Sequence, residues 1–504
     1  MSNKHRKTWK RLRPFVVAIV LLFWAAMVLI FVDRGRGAEK IELPELNIVE
    51  TGEIVSESYY SVTFRGEKIG YNSVIEQKIG SGSMFHETSF YKLPVGGIEQ
   101  EITSEAIITV DDSLKTKMLS FDFSSGGYNT TVNAAIVKNA LNVEITTPSG
   151  SHRSSYPIEG DIYVSTVIPK IVKRQGFKKG RFKLQTFDPM TASTRSFSVN
   201  VVGEDHLNLF GNRHVWVVHL FYGTMLTTMF IDTSGTLLME KTQEGFMSVL
   251  EDREKALNFD IRGGGSIDLL TEFSLPLGVK VIERPRDAVR FEMRIDGLET
   301  GLFDLDDFNQ SWNPDSEILI VDSRGIERDS IFPKIVPEDT AETAQIQCRD
   351  RRIVAAAKKI TKKADTDLER LIAINDYLFK KMDKSLTASI PSAVDVLKKM
   401  RGDCNEHTTL FLALARSLGI PSRMNVGLLY MDGYFFYHAW AQAFADGQWH
   451  SFDATLGQHP VDATHVKLTS GDLEQMLALL RFGDAQMSYI DVEYASEGDD
   501  IEQQ

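Results

Sequence analysis

Cysteine is scarce: only Cys348 and Cys404 occur in 504 residues, which excludes a disulfide-stapled scaffold. Positive charge is in deficit, 56 Lys and Arg against 69 Asp and Glu. The resulting net charge of -13 excludes sequence-independent nucleic-acid binding by the chain as a whole, because neutralising phosphates needs clustered cations. Gly (36) and Pro (15) are at ordinary levels, so the chain is neither collagen-like nor low-complexity. No repeat with a period of about 20 to 50 residues is visible, which excludes a solenoid. No D-x-[DN]-x-[DN]-G loop occurs, so calcium is not implied, and no other cofactor is called for. What remains is globular: 43% hydrophobic and 10% aromatic residues, in a length that suits about three domains.

Long apolar runs are also rare, with one exception. Residues 14–32 read PFVVAIVLLFWAAMVLIFV and follow Lys4, Arg6, Lys7, Lys10, Arg11 and Arg13. About 20 apolar residues span the ~30 Å hydrocarbon layer as a helix. A cleaved signal would have a shorter apolar region ending at a small-residue site, whereas Asp33-Arg34-Gly35-Arg36 follows here. The expectation is a basic cytoplasmic tail at 1–13 and an uncleaved transmembrane helix at 14–32. Charge asymmetry then leaves the bulk of the chain outside the cell membrane, in the periplasm if the cell is Gram-negative.

From 50 to 260 the pattern is period-2 alternation broken by turn residues, as in Tyr59 to Arg65, then Gly66-Glu67, then Ile69 to Ile79. This predicts an antiparallel β-rich domain, a meander or partly closed barrel, interrupted by one helix near Tyr163 to Arg174. Its role is read as a spacer, or as a surface that captures substrate. Gly263, Gly264 and Gly265 mark a boundary before a smaller β segment at 266–340. Helical spacing follows within 350–495, and 496–504 is an acidic tail. The fold class expected is α+β.

Two helices, Arg351 to Lys363 and Asp367 to Met382, carry apolar residues at helical spacing, Leu368, Leu371, Ile374 and Leu378 in the second. Ser392 with Asp395 predicts a short capped helix ending at Gly402. Asp403 and Glu406 predict the capping box of another, with Leu410, Phe411, Leu414 and Leu418 as its buried stripe. Cys404 thus falls in a first turn, where unpaired N–H groups and the helix dipole favour thiolate. Asp403 and Glu406 oppose that, so a thiolate needs an imidazolium partner. The strand-like run Phe435 to Phe444 holds His438, and the next, Trp449 to Asp453, holds Asp453. Neighbouring strands would set these two side by side.

Arg401-Gly402-Asp403-Cys404-Asn405-Glu406-His407-Thr408, Leu414 to Arg423, Tyr437-His438-Ala439-Trp440 and Trp449 to Thr455 together resemble the core of the transglutaminase-like superfamily. The resemblance covers 350–495 and implies a papain-like fold of helix and antiparallel sheet. It implies Cys404 as nucleophile, His438 as general base and acid, and Asp453 as the residue orienting the imidazole. His407, three residues past Cys404, is a rival base or a neighbour that supports the site; Trp440 is a core aromatic and Arg423 an ion-pairing brace. His450, His459 and His465 with His407 and Cys404 match no zinc-ligand spacing, so no metal is assigned. Cys348 is read as a buried bystander. The expected function is a membrane-anchored extracytoplasmic thiol enzyme acting on an amide of a protein or peptide, as protease, deamidase or transglutaminase. The alternative is a non-catalytic envelope binding protein or scaffold that keeps the fold.

Overall fold

The computed structural model describes residues 52–223, 225–258, 268–278, 281–298, 303–327, 332–386, 392–471, 482 and 485–495. The basic tail, the apolar run at 14–32 and the acidic tail at 496–504 lie outside the described residues. Among the described residues no helix is long and apolar enough to cross a membrane. The expected α+β class is overturned: the described residues are mostly β, 53% strand against 18% helix. The reason is the length of the alternating region, whose strands reach 15 residues and outweigh a helical segment confined to the C-terminal third.

Among the described residues, fourteen strands between Glu53 and Glu251 form one antiparallel sheet. A meander of eight strands, Glu53–Phe64 to Gly150–Pro157, meets one of six, Gly180–Asp188 to Phe246–Glu251. They join where the first strand pairs with the last, Tyr59 opposite Glu251. The first hairpin turns at Arg65 and Gly66, whose φ values of 47° and 90° are those a two-residue hairpin loop requires. Alternation buries Phe85, Ile108, Leu119, Val132 and Val143 on one face, against Ile162 and Val164 of the connecting segment. That segment stitches distant strands together: Thr116 N–H donates to the Ile162 carbonyl at 2.8 Å, and Tyr163 N–H to the Gln185 carbonyl at 2.7 Å. It then enters the helix Ile168–Arg174.

The smaller β segment is not self-contained. Its strands Ala288–Asp296, Gln310–Asn313 and Ile318–Asp322 form a four-stranded sheet with Gln486–Tyr494 from the far end of the chain. Phe291 and Met293 of this sheet share a core with Leu428, Tyr430, Phe435 and Val466, so it backs the sheet that carries the site. That second sheet contains Leu275–Pro276, Tyr434–Ala445, Ser422–Met431 and His465–Gly471 in order, with Gln448–Phe452 also paired to Tyr434–Ala445.

Four helices cover the other side: Arg351–Ile360, Asp367–Lys381, Ala393–Lys399 and Cys404–Ser417. Ser392 precedes the third but its side chain makes no cap bond; its hydroxyl reaches Gln347 Oε1 at 3.4 Å instead. The helix Cys404–Ser417 is buried on all sides rather than along one stripe, from Asn405 through Arg416. It lies between the sheet and the other three helices, and Phe411 packs against Phe452 of the sheet with ring centres 5.2 Å apart and planes tilted by 31°. Burying Phe411 contributes about 2 to 3 kcal/mol. The large sheet docks beside the start of this helix: Tyr128 donates its hydroxyl to the Arg401 carbonyl at 2.8 Å, and Lys399 Nζ lies 3.3 Å from the Tyr128 ring centre.

Candidate active site

Asp403 caps the helix Cys404–Ser417 in a full capping box with Glu406, accepting from Asn405 N–H at 2.9 Å while Glu406 accepts from Asp403 N–H at 2.8 Å. Gly402 is required just before it, because a Cβ there would lie 2.3 Å from Glu406 Cβ. The box holds Cys404 in the first turn, half-buried, with its sulfur accepting from the Ala439 N–H next to His438. His438 is buried on the strand Tyr434–Ala445. Asp453, fully buried, follows the strand Gln448–Phe452 that pairs with it, Phe452 opposite Ala441. The sheet brings their side chains together: His438 Nε2 donates to Asp453 Oδ2 at 2.8 Å. That bond puts a proton on Nε2 and leaves Nδ1 at the opposite side of the ring.

Asp453 is tightly held. Its Oδ1 accepts from the N–H groups of Thr455 and Leu456 at 2.7 and 3.0 Å, and its Oδ2 accepts from a second imidazole, His465 Nε2, at 3.2 Å. Burial alone would raise this carboxyl, but His438 and then His465 outweigh burial and hold it well below the ordinary carboxylate range. Cys404 goes the other way: burial, then the Asp403 carboxylate, push the thiol well above its ordinary value, against the Ala439 N–H. Tyr437 donates to Asn405 Oδ1 at 2.8 Å, and burial followed by Cys404 pushes its phenol well up. Burial and the neighbouring carboxylates therefore favour the protonated thiol of Cys404.

The remaining sequence candidates fall around this centre. His407 is fully buried one turn past Cys404, its Nδ1 donating to the Asp403 carbonyl at 2.7 Å. Its Nε2 has no hydrogen-bond partner among the described residues, and burial lowers its basicity. Trp440 stacks on His438 with ring centres 6.2 Å apart. Arg423 forms a two-pronged pair with Asp339, at 2.9 and 2.5 Å, and lies 4.3 Å over the Trp449 ring, tying the strand Ser422–Met431 to the segment before the helices. Cys348 is a buried free thiol. His450 and His459 pack on each other with ring centres 5.6 Å apart, and His459 stacks on Phe452.

His465 is what the sequence reading undervalued, since it appeared there only among metal candidates. Its place on the strand after the His459-Pro460 turn gives no local signal of proximity to Asp453. His438, Asp453 and His465 do bring three ligand atoms within 4.8 Å. Yet His465 faces acceptors at both nitrogens, Asp453 Oδ2 and the Asp462 carbonyl and carboxylate. With an acceptor at each nitrogen, the ring could offer a lone pair to a metal only by giving up one of these contacts.

Residues 354–454 match the transglutaminase-like superfamily, so the chain carries a transglutaminase-like domain. An uncharacterised protein of Mycobacterium leprae is 26% identical over 169 residues, 28% of this chain and 59% of the relative. The chain thus spans 59% of the length of that curated relative. A proposed cysteine protease from Cytophaga hutchinsonii resembles the chain at 17% identity and a TM-score of 0.25, covering 44% of this chain and 81% of that one. A β-barrel-like protein from Brucella abortus does so at 10% identity and a TM-score of 0.32, covering 40% and 97%.

Proposed function

With a transglutaminase-like domain at residues 354–454 as the premise, we propose that this protein is a cysteine-dependent amide hydrolase or acyltransferase acting on a protein or peptide. The observation that carries the reading is the His438–Asp453 bond of 2.8 Å on the strand whose Ala439 N–H meets the Cys404 sulfur. Cys404 attacks the amide carbonyl as its proton passes to His438 Nδ1, and a tetrahedral oxyanion forms. The Cys404 backbone N–H, in a first turn where amides have no intrahelical partner, is a donor suited to that oxyanion. Collapse expels the amine, which takes the proton from His438, and leaves a thioester on Cys404. Water on the thioester releases the acid, giving proteolysis from a backbone amide or deamidation from a glutamine side chain; a second amine gives a cross-link. Hydrolysis is favoured, because water is in excess and no amine-binding site adjoins Cys404 in the sequence motifs.

A raised thiol makes a specific prediction. Iodoacetamide labelling of Cys404 in the full chain, read by peptide mapping to separate it from Cys348, should climb with pH above neutrality. His438→Ala should slow it about tenfold or more at pH 8, since the proton acceptor is gone. Labelling of Cys404 only after denaturation would defeat the catalytic reading.

A second reading rests on the large sheet. A cavity of about 440 Å3 between it and the helix Ile168–Arg174 is lined by Glu87, Glu240, Ser58 and Asn72. Burial, with Glu87 nearby, pushes Glu240 up to about 7. A non-catalytic protein holding a partner there would keep its full function in Cys404→Ala.

A further inference from the structure

Asp453 is gripped from two sides, and only one of them is His438. The other, His465, is fully buried on the strand His465–Gly471. Its Nε2 meets Asp453 Oδ2 at 3.2 Å, and its Nδ1 meets the Asp462 carbonyl at 3.3 Å and Asp462 Oδ1 at 3.4 Å. All three partners accept only. A neutral imidazole has one N–H and would leave a lone pair facing an oxygen, so this ring is satisfied only as the doubly protonated cation. Asp462 is braced in turn by Arg286 Nη1 at 2.6 Å, Gln458 Nε2 at 2.9 Å and Thr464 N–H at 2.9 Å. Charges therefore alternate inward from Arg286 through Asp462 and His465 to Asp453, the carboxylate that meets His438. The edge of Trp440 closes the ring contacts, 5.3 Å from His465.

We propose that His465 is a positioning residue of this site, a buried imidazolium that fixes Asp453 against His438 and supplies the cation that eases proton loss from Cys404. The inference rests on the Cys404–His438 reading above. The charged and titratable groups facing His465 are Asp453 and Asp462 from the segment before its strand, His438 from the strand Tyr434–Ala445 across the intervening strand Ser422–Met431, and Arg286 through Asp462. Those acting on Cys404, besides the His438 assigned above as its proton acceptor, are Asp403, Glu406, Tyr437 and Asp453. Three of these are carboxylates, so a nearby cation has a large imbalance to offset. Burial disfavours the charged ring, but Asp462 and Asp453 outweigh it and raise His465 to about 9, in agreement with the bonding.

The sign of the effect follows. With His465 replaced by a neutral donor, negative charge around the site is less balanced, and proton loss from Cys404 requires a higher pH. His465 reaches the sulfur's surroundings through Asp453 and through His438, whose ring centre is 5.5 Å away, and the expected upward shift in Cys404 labelling is on the order of one pH unit. The experiment follows iodoacetamide labelling of Cys404 from acid to alkaline pH in the full chain, in His465→Gln and in His438→Ala. Gln keeps an N–H for Asp453 and removes the charge. The half-maximal rate should move up by about one unit in His465→Gln with the plateau little changed, an outcome that a purely structural role would not produce. Superimposable profiles would overturn the proposal. If instead the native protein and His438→Ala label alike, the thiol-enzyme reading fails. Should His465→Gln not fold, histidine-selective NMR of the native protein decides: one ring still protonated at pH 8 supports the proposal, and none overturns it.

Discussion

Cys404→Ala should abolish acyl transfer, lowering kcat/KM by about 10^4-fold or more, because removal of a nucleophile that acts as a unit with its base leaves only binding and oxyanion stabilisation. The substitution deletes a sulfur in a first turn and leaves the Asp403 and Glu406 capping box intact, so the fold should survive unchanged. The measurement is mass spectrometry of a mixed peptide set incubated with the full chain and a primary amine. Cleaved or deamidated peptides that vanish in the variant identify a hydrolase, and amine adducts that vanish identify a transferase. Products persisting at native rates in Cys404→Ala would sink the proposed function and turn attention to the cavity lined by Glu87 and Glu240.

Asp453→Asn should be nearly as damaging, a loss of about 10^3- to 10^4-fold with the protein still folded. A carboxylate that accepts from His438 holds the tautomer whose other nitrogen takes the nucleophile's proton, and an amide in its place loses that control. The cost is compounded here, because Asp453 Oδ2 receives two imidazoles. If the amide oxygen takes the place of Oδ2, its NH2 replaces Oδ1 and faces the N–H groups of Thr455 and Leu456. Burial of unmatched donors adds a stability loss of about 1 to 3 kcal/mol. Acid behaviour should change as well. The native carboxyl is depressed, so its contribution to stability is complete above the ordinary Asp value of about 3.9 and is lost only as pH falls through the depressed value. Asp453→Asn lacks that contribution throughout, and its acid unfolding should begin from a lower baseline. Activity within about tenfold of native in Asp453→Asn would remove Asp453 from the mechanism.

Legibility differed between parts of the site. Asp403 and Glu406 announced a helix start locally, and the structure places the box there. The thiol's state was less accessible, since the helix position argued for thiolate while burial, which depends on what packs around Cys404, raises the thiol. The fold class failed for a related reason. Helical spacing near the recognised motifs drew weight to the C-terminal third, whereas the large sheet accounts for more of the chain.

Composition and periodicity, which are local properties, determined which stretches extend, which coil, and which residue heads the helix at Cys404. The tertiary structure alone decided that His465 reaches Asp453, that Arg286 braces Asp462 across 176 positions of chain, and that Tyr128 of the large sheet rests on the Arg401 carbonyl close to Cys404 in the chain. Caps and alternation act over a few residues and can be read in order. Shared carboxylates, buried cations and docked edges depend on segments that become neighbours only when the sheets have registered and the core has closed.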